Sequence, residues 1–318
     1  MGVDTCAQAR EYAAKYFPEQ KDVSQMRLGF IQICIDKGVP EKDLAVLMDE
    51  KYNPAGLSLL TQAMTDYSIS SAIAAEIIDS SVYNPGNQND IDTMGYNVNK
   101  AGYLMSLVMN FGVDNARIAF IPEISTRKTE QIYLGFKNGL SKDQVCVYAE
   151  KDCVAKKMEE VRKALQQGAP PALLEPVVRF RDSREIKAMR TAAMKIMLEK
   201  GDFPFLMCDD AVLESVDKYI EDGMTIQEIA SLTGITLKDI PRPEKIFEYT
   251  FENSAFIDRT LTSPSAVRLV DPAKVEGMIK EMDDIGNKGK KRLEMNDPAL
   301  FCEVREEEIE EDQEDRIV

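Results

Sequence analysis

The feature that most constrains this chain is a glycine that keeps returning behind the same helical stripe. In "EQIYLGFKNGL", residues 130–140, Gly139 follows Ile132, Gly135 and Phe136 and precedes Leu140. In "EEVRKALQQGA", residues 159–169, Gly168 follows Val161, Ala164 and Leu165 and precedes Ala169. Steps of three, one and three residues lay these positions on one side of an α-helix. The glycine then falls at the position just past the helix end, where a left-handed residue stops the helix.

The frame recurs along the chain. It reads Leu28, Ile31, Cys34, Ile35, Gly38, then Leu57, Leu60, Ala63, Met64 with Tyr67 in the glycine place, then Met105, Val108, Met109, Gly112. Later copies read Met194, Met197, Leu198, Gly201 and Val216, Tyr219, Ile220, Gly223. Six residues past the seven anchors stand Leu44, Ile73, Ile118, Val145, Leu174, Met207 and Ile229, all apolar. With 44% of the chain apolar, seven such coincidences have a chance of roughly 0.3%. Nine residues past, Leu47, Ile121, Tyr148, Val177 and Leu232 keep the pattern, and Glu76 and Asp210 break it. The unit is therefore a helix, a turn and a shorter helix.

One such hairpin cannot close a core, but stacked neighbours can. The expected fold is all-α, an α-solenoid-like array of about seven hairpins over residues 23–240; a generic irregular helical bundle is the plainer alternative. Residues 1–22 supply a capping helix, with Ala7, Tyr12, Ala13, Tyr16 and Phe17 available to cover the first hairpin. The longest interval between anchors, 45 residues, holds "NPGNQNDIDTMGYNVN", read as a loop inserted at 84–99.

After "DIPRPEK" the pattern stops, and residues 241–302 form an α or mixed extension. "IFEYTFE", residues 246–252, alternates like a strand. An ordered loop that packs its aromatics on the last helices is the favoured reading over a pair of strands. Asp271-Pro272 opens a further helical stripe through Val275, Met278, Ile279 and Met282. An acidic tail, 303–318, holds nine acids against two arginines.

The segments from Met158 to Ala169, from Ile132 to Leu140 and "VCVYAEKDCV" from Val145 to Val154 resemble a known repeat. It occurs in tandem in large proteins of bacterial conjugative elements and phages. There the unit runs Q-M-x-x-I-R-x-G-L-x-x-G-L, then a short second helix and a tyrosine-alanine pair. The resemblance is close over residues 125–180. It implies an α-solenoid binding scaffold on mobile DNA and no particular catalytic activity.

Composition narrows the function. The chain has no histidine, which removes the commonest general base and the usual zinc and copper ligands. Its six cysteines form no C-x-x-C pair and read as buried thiols. No signal peptide and no membrane span are expected, since charged residues interrupt every apolar run. Asp209-Asp210, Glu159-Glu160 and Asp283-Asp284 are adjacent carboxylates, but 55 acids make adjacency common and none is singled out. Met105, Met109, Met194 and Met197 lie on helix stripes and are expected in the core. No cofactor or metal site is expected.

The net charge of −16 favours a partner with a basic surface and disfavours naked nucleic acid. Glu306, Glu307, Glu308, Glu310, Glu311 and Asp312 are the candidate partner-binding residues. The alternative is a DNA-reading helix-turn-helix at residues 224–242, "MTIQEIASLTGITLKDIPR", with Lys238 and Arg242 on its second helix. One more repeat, started by a Thr225/Glu228 capping box, explains the same residues. Lys288, Lys290 and Lys291 in "EMDDIGNKGKKR" are further candidate phosphate contacts, although the phosphate-loop spacing is missing.

Overall fold

A computed structural model describes residues 5–20, 22–83, 92–150, 152–205, 208–237 and 242–252. The chain forms two compact units, Met1–Lys137 and Asn138–Val318.

In the first unit α1 (Ala7–Tyr16) precedes α2 (Gln25–Asp36), a 3-10 segment (Glu41–Met48), α3 (Pro54–Thr65) and α4 (Ser71–Ser80). A two-stranded ribbon follows, β1 (Asp92–Thr93) and β2 (Tyr96–Asn97), then α5 (Val98–Phe111), α6 (Val113–Ala116) and α7 (Thr126–Lys137). Local chemistry starts these helices. The Ser24 side chain accepts from the Arg27 amide, and Asn53 accepts from the Ala55 and Gly56 amides ahead of Pro54 in the first turn of α3. The long helices pack in chain order: α1 on α2, α2 on α3, α3 on α5, and α5 on α7. The shorter partners fill the other layer, with the 3-10 segment against α2 and α4, and α4 against α3 and α5. Leu28, Ile31, Cys34, Leu60 and Ala63 are fully or almost fully buried between them.

In the second unit α8 (Lys142–Cys146), α9 (Ala155–Gln166) and α10 (Pro171–Phe180) lead to the long α11 (Ser183–Lys200). Next come α12 (Asp210–Glu221), α13 (Ile226–Thr233) and α14 (Pro243–Glu252). Capping boxes start three of them: Ser141 with Gln144, Asp182 with Glu185, and Thr225 with Glu228. Here α11 is the hub, packed against α9, α12, α13 and α14.

The anchor glycines do what their spacing requires. Gly38, Gly168 and Gly223 have φ of 76°, 99° and 86°. Each closes its helix with the same two backbone bonds. At Gly168 they run from the Gly168 amide to the Leu165 carbonyl and from the Ala169 amide to the Ala164 carbonyl. Gly112 and Gly139 also have positive φ.

Several expectations need correction. Gly201 is not left-handed: α11 runs one residue further, Gly201 has φ −76°, and Asp202 at φ 62° makes the turn. Aspartate is one of the few side chains that tolerates that conformation. Tyr67, likewise, yields to Ser68 at φ 53°. The insertion at 84–99 is not all loop, because residues 92–97 form the ribbon and Val98 and Asn99 already belong to α5. Met109 is exposed, as is Ala7, while Ala9 takes Ala7's expected place in the core of α1.

Residues 246–252 are neither strand nor loop but the body of α14. Ile246, Phe247, Thr250 and Phe251 are buried, the spacing of one helix face. Pro243 stands in the first turn of α14, where a proline loses no helical hydrogen bond. Thr236 and Leu237, the start of the proposed DNA-reading helix, are not helical. The helical stripe at 271–292 and the acidic tail lie outside the described residues.

Candidate functional site

Among the residues proposed from sequence, Glu306, Glu307, Glu308, Glu310, Glu311 and Asp312 lie outside the described residues, as do Lys238, Lys288, Lys290 and Lys291. Arg242 is exposed just before α14. Leu237 turns toward the end of α11, and its Cδ2 would lie 2.9 Å from a Cβ added at Gly201. The described part of 224–242 is a helix, a left-handed turn at Gly234 and a segment against the end of α11.

A buried polar constellation among the described residues of the second unit is one that sequence reasoning missed. Arg190, on α11, is 0% exposed. Its Nε and Nη2 donate to Glu160 Oε2 on α9 at 3.0 and 2.8 Å. Its Nη1 donates to Gln167 Oε1 at 3.1 Å and to the Ile220 carbonyl at 2.5 Å. The Gln167 amide group in turn donates to the Ile220 and Met224 carbonyls at 3.1 and 3.0 Å. Two side chains, from α11 and the end of α9, therefore add donors to the carbonyls where α12 ends, and a cation sits at the negative end of that helix.

Charge surrounds this clamp. Lys195 pairs with Asp217 at 2.8 Å, and Lys187 pairs with Glu221. The Lys187 ammonium holds the Glu221 carboxyl below its usual range. That contribution is present above the ordinary carboxylate pKa and is lost as pH falls through the lowered one. Arg162 donates to Gln166 at 2.6 Å, and burial lowers its pKa. Burial likewise pushes the Tyr148 hydroxyl far above its usual range, so it stays neutral. The signal available in sequence was slight: Glu160 stands beside Val161 on the inner side of α9, where a solvated carboxylate would be misplaced.

This arrangement is chemically saturated. Every Arg190 nitrogen donates to a protein oxygen at hydrogen-bonding distance, and the cluster acts as a fastening of three helices. Among the described residues there is no group of three or more cysteine, aspartate or glutamate side chains placed to hold a metal ion. Nor is any described helix long and apolar enough to cross a membrane. Comparison with protein families, with curated proteins and with solved structures returns no match.

Cysteine chemistry is sharply divided. Cys34 is fully buried between α2 and its neighbours, and burial pushes its thiol up to about 11. Cys146 is exposed. Thiolate is the reactive form, so iodoacetamide at pH 8 should label Cys146 and spare Cys34 in the folded protein, read by peptide mass mapping. Equal labelling of the two would contradict the packing of α2.

Proposed function

We propose that the chain is a non-enzymatic scaffold whose acidic helical faces bind a protein with a basic surface. The observation that carries the reading is the sign and distribution of charge: 55 acids against 39 bases, with 17 against 10 in residues 253–318 alone. Helix ends on the second unit add exposed carboxylates, including Asp209, Asp210, Glu214 and Asp222. Such a surface steers a cationic partner into contact and repels nucleic acid. Helices packed in chain order, as in the first unit, would offer long faces suited to a macromolecular partner. The resemblance over residues 125–180 adds the setting, a factor of a phage or other mobile element. Its sharpest form is an inhibitor that occupies the cationic nucleic-acid channel of a host defence complex.

The test begins with the tagged full-length chain and the protein that co-purifies with it. Affinity for that partner should fall steeply between low and high salt. Replacing Glu306, Glu307, Glu308, Glu310, Glu311 and Asp312 with their amides should weaken it at least about tenfold, the scale of electrostatically steered association. Salt-independent binding, or gel-shift binding to naked duplex at low salt, would overturn the proposal.

A further inference from the structure

The ribbon between α4 and α5 shows apolar side chains to solvent from a fixed frame. Met94 is 65% exposed, Val82 50% and Val98 41%. Thr93 pairs with Tyr96, so Met94 and Gly95 form a two-residue turn, and both have positive φ, 53° and 92°. That geometry favours Asn-Gly or Asp-Gly. A methionine gains nothing there from its own backbone.

The frame is held from several sides. Asn53 Nδ2 donates to the Met94 carbonyl at 2.6 Å, and the Tyr83 amide donates to the Gly95 carbonyl at 2.9 Å. Val82 bridges to Tyr96, whose ring lies so close to α3 that a Cβ on Gly56 would sit 2.8 Å from its hydroxyl. Beside this turn lies a group of charges. Lys51 Nζ is 2.8 Å from Asp79 and 3.9 Å from Asp49, and Tyr52 donates to Asp79 at 3.1 Å. Asp79 stands three residues before Val82, which bridges to Tyr96, and Asp49 four residues before Asn53, which holds the Met94 carbonyl. With the exposed Glu50, three carboxylates stand against one lysine. An exposed apolar patch with a polar rim is the usual mark of an interaction surface.

We infer that the Met94 turn is a docking site for a basic, apolar-bearing segment of the partner protein. An aliphatic or aromatic side chain of that segment covers Met94 and Val82, and flanking lysines or arginines meet Asp49, Glu50 and Asp79. The inference rests on the reading that the partner is basic, and it adds the place and the apolar component of recognition.

The test uses the full chain with methionine methyl groups isotopically labelled, and a twelve-residue peptide alternating leucine and lysine as the probe. Peptides alternating serine with lysine and leucine with glutamate serve as comparisons. The Met94 methyl signal should shift saturably with the leucine–lysine peptide and bind the other two more weakly. Met94→Asn suits the turn, so the fold should persist with an unchanged melting temperature while affinity drops at least about tenfold. Asp49→Asn with Glu50→Gln should weaken binding more than Glu175→Gln with Glu214→Gln, which removes the same charge from the second unit. Wild-type affinity in Met94→Asn overturns the docking site and leaves the acidic-scaffold reading intact. Equal binding of the leucine–glutamate peptide overturns the charge component. No binding of either basic peptide at low salt overturns the scaffold reading itself.

Discussion

Arg190→Ala should destabilise the second unit by about 3–5 kcal/mol, the cost of removing one partner from a buried ion pair. The substitution leaves the Glu160 carboxylate, 11% exposed, without its cation. It also strips Gln167 Oε1 of its donor and removes one of the donors to the Ile220 carbonyl, which keeps those of Gln167 and the Gly223 amide. Urea unfolding followed by circular dichroism reads the loss. Most of the expected cost is the stranded charge, not the worth of the pair. Pairing Arg190→Met with Glu160→Leu should therefore recover about 2 kcal/mol relative to Arg190→Ala, within the range of coupling for contacting residues. A loss under about 1 kcal/mol for the single variant is what an exposed guanidinium would give, and it would refute the clamp.

Gly168→Ala should cost about 3 kcal/mol. Two effects add. A left-handed backbone at φ 99° penalises any Cβ, by roughly 1–2 kcal/mol. The new methyl would also lie 2.8 Å from Pro243 Cβ and 3.2 Å from Cγ. A proline ring at the head of α14 cannot swing aside, so α14 must shift on α11, and forced repacking costs about 1–3 kcal/mol. Gly38→Ala is the built-in comparison, because Gly38 has φ 76° but nothing within 4 Å of an added Cβ. It should show the backbone cost alone. Equal losses at the two positions would mean that α14 does not pack over the turn at Gly168.

The same glycines show how far the sequence could be read. Their spacing located the helix ends, because a left-handed stop leaves few residues to choose from. It misplaced the turn at Gly201 because Asp202 tolerates the same conformation, and glycine permits a left-handed turn but neither compels it nor is required for it. The apolar positions six past each anchor were legible as a class: Leu44, Val145, Leu174 and Ile229 are buried, and Ile73 and Ile118 are half-buried. The positions nine past held less well, as the exposed Leu232 shows.

Other features were hidden for physical reasons. Residues 246–252 carry apolar side chains on both parities, a pattern that serves a strand and a helix face at 246, 247, 250 and 251 equally well; packing against α11 decides. The ribbon was obscured because its turn reads Met-Gly instead of Asn-Gly. The clamp was obscured because Glu160, Gln167 and Arg190 meet across helices 23 to 30 residues apart, and composition alone assigns such residues to the surface. The anchored hairpin at Gly139 spans the boundary between Lys137 and Asn138, so its two helices fall in different units.

The central proposal is an array of locally packed hairpins, in chain order in the first unit and gathered on α11 in the second, whose stability would be a sum of local units and interfaces. Hydrogen–deuterium exchange of Arg190→Ala against the parent chain, read by mass spectrometry, tests it most directly. The account predicts that protection drops in α9, α11, α12 and α14 and stays unchanged in α2, α3, α4 and α5. A uniform loss of protection across all of these helices would mark a single cooperative globule and would contradict the array.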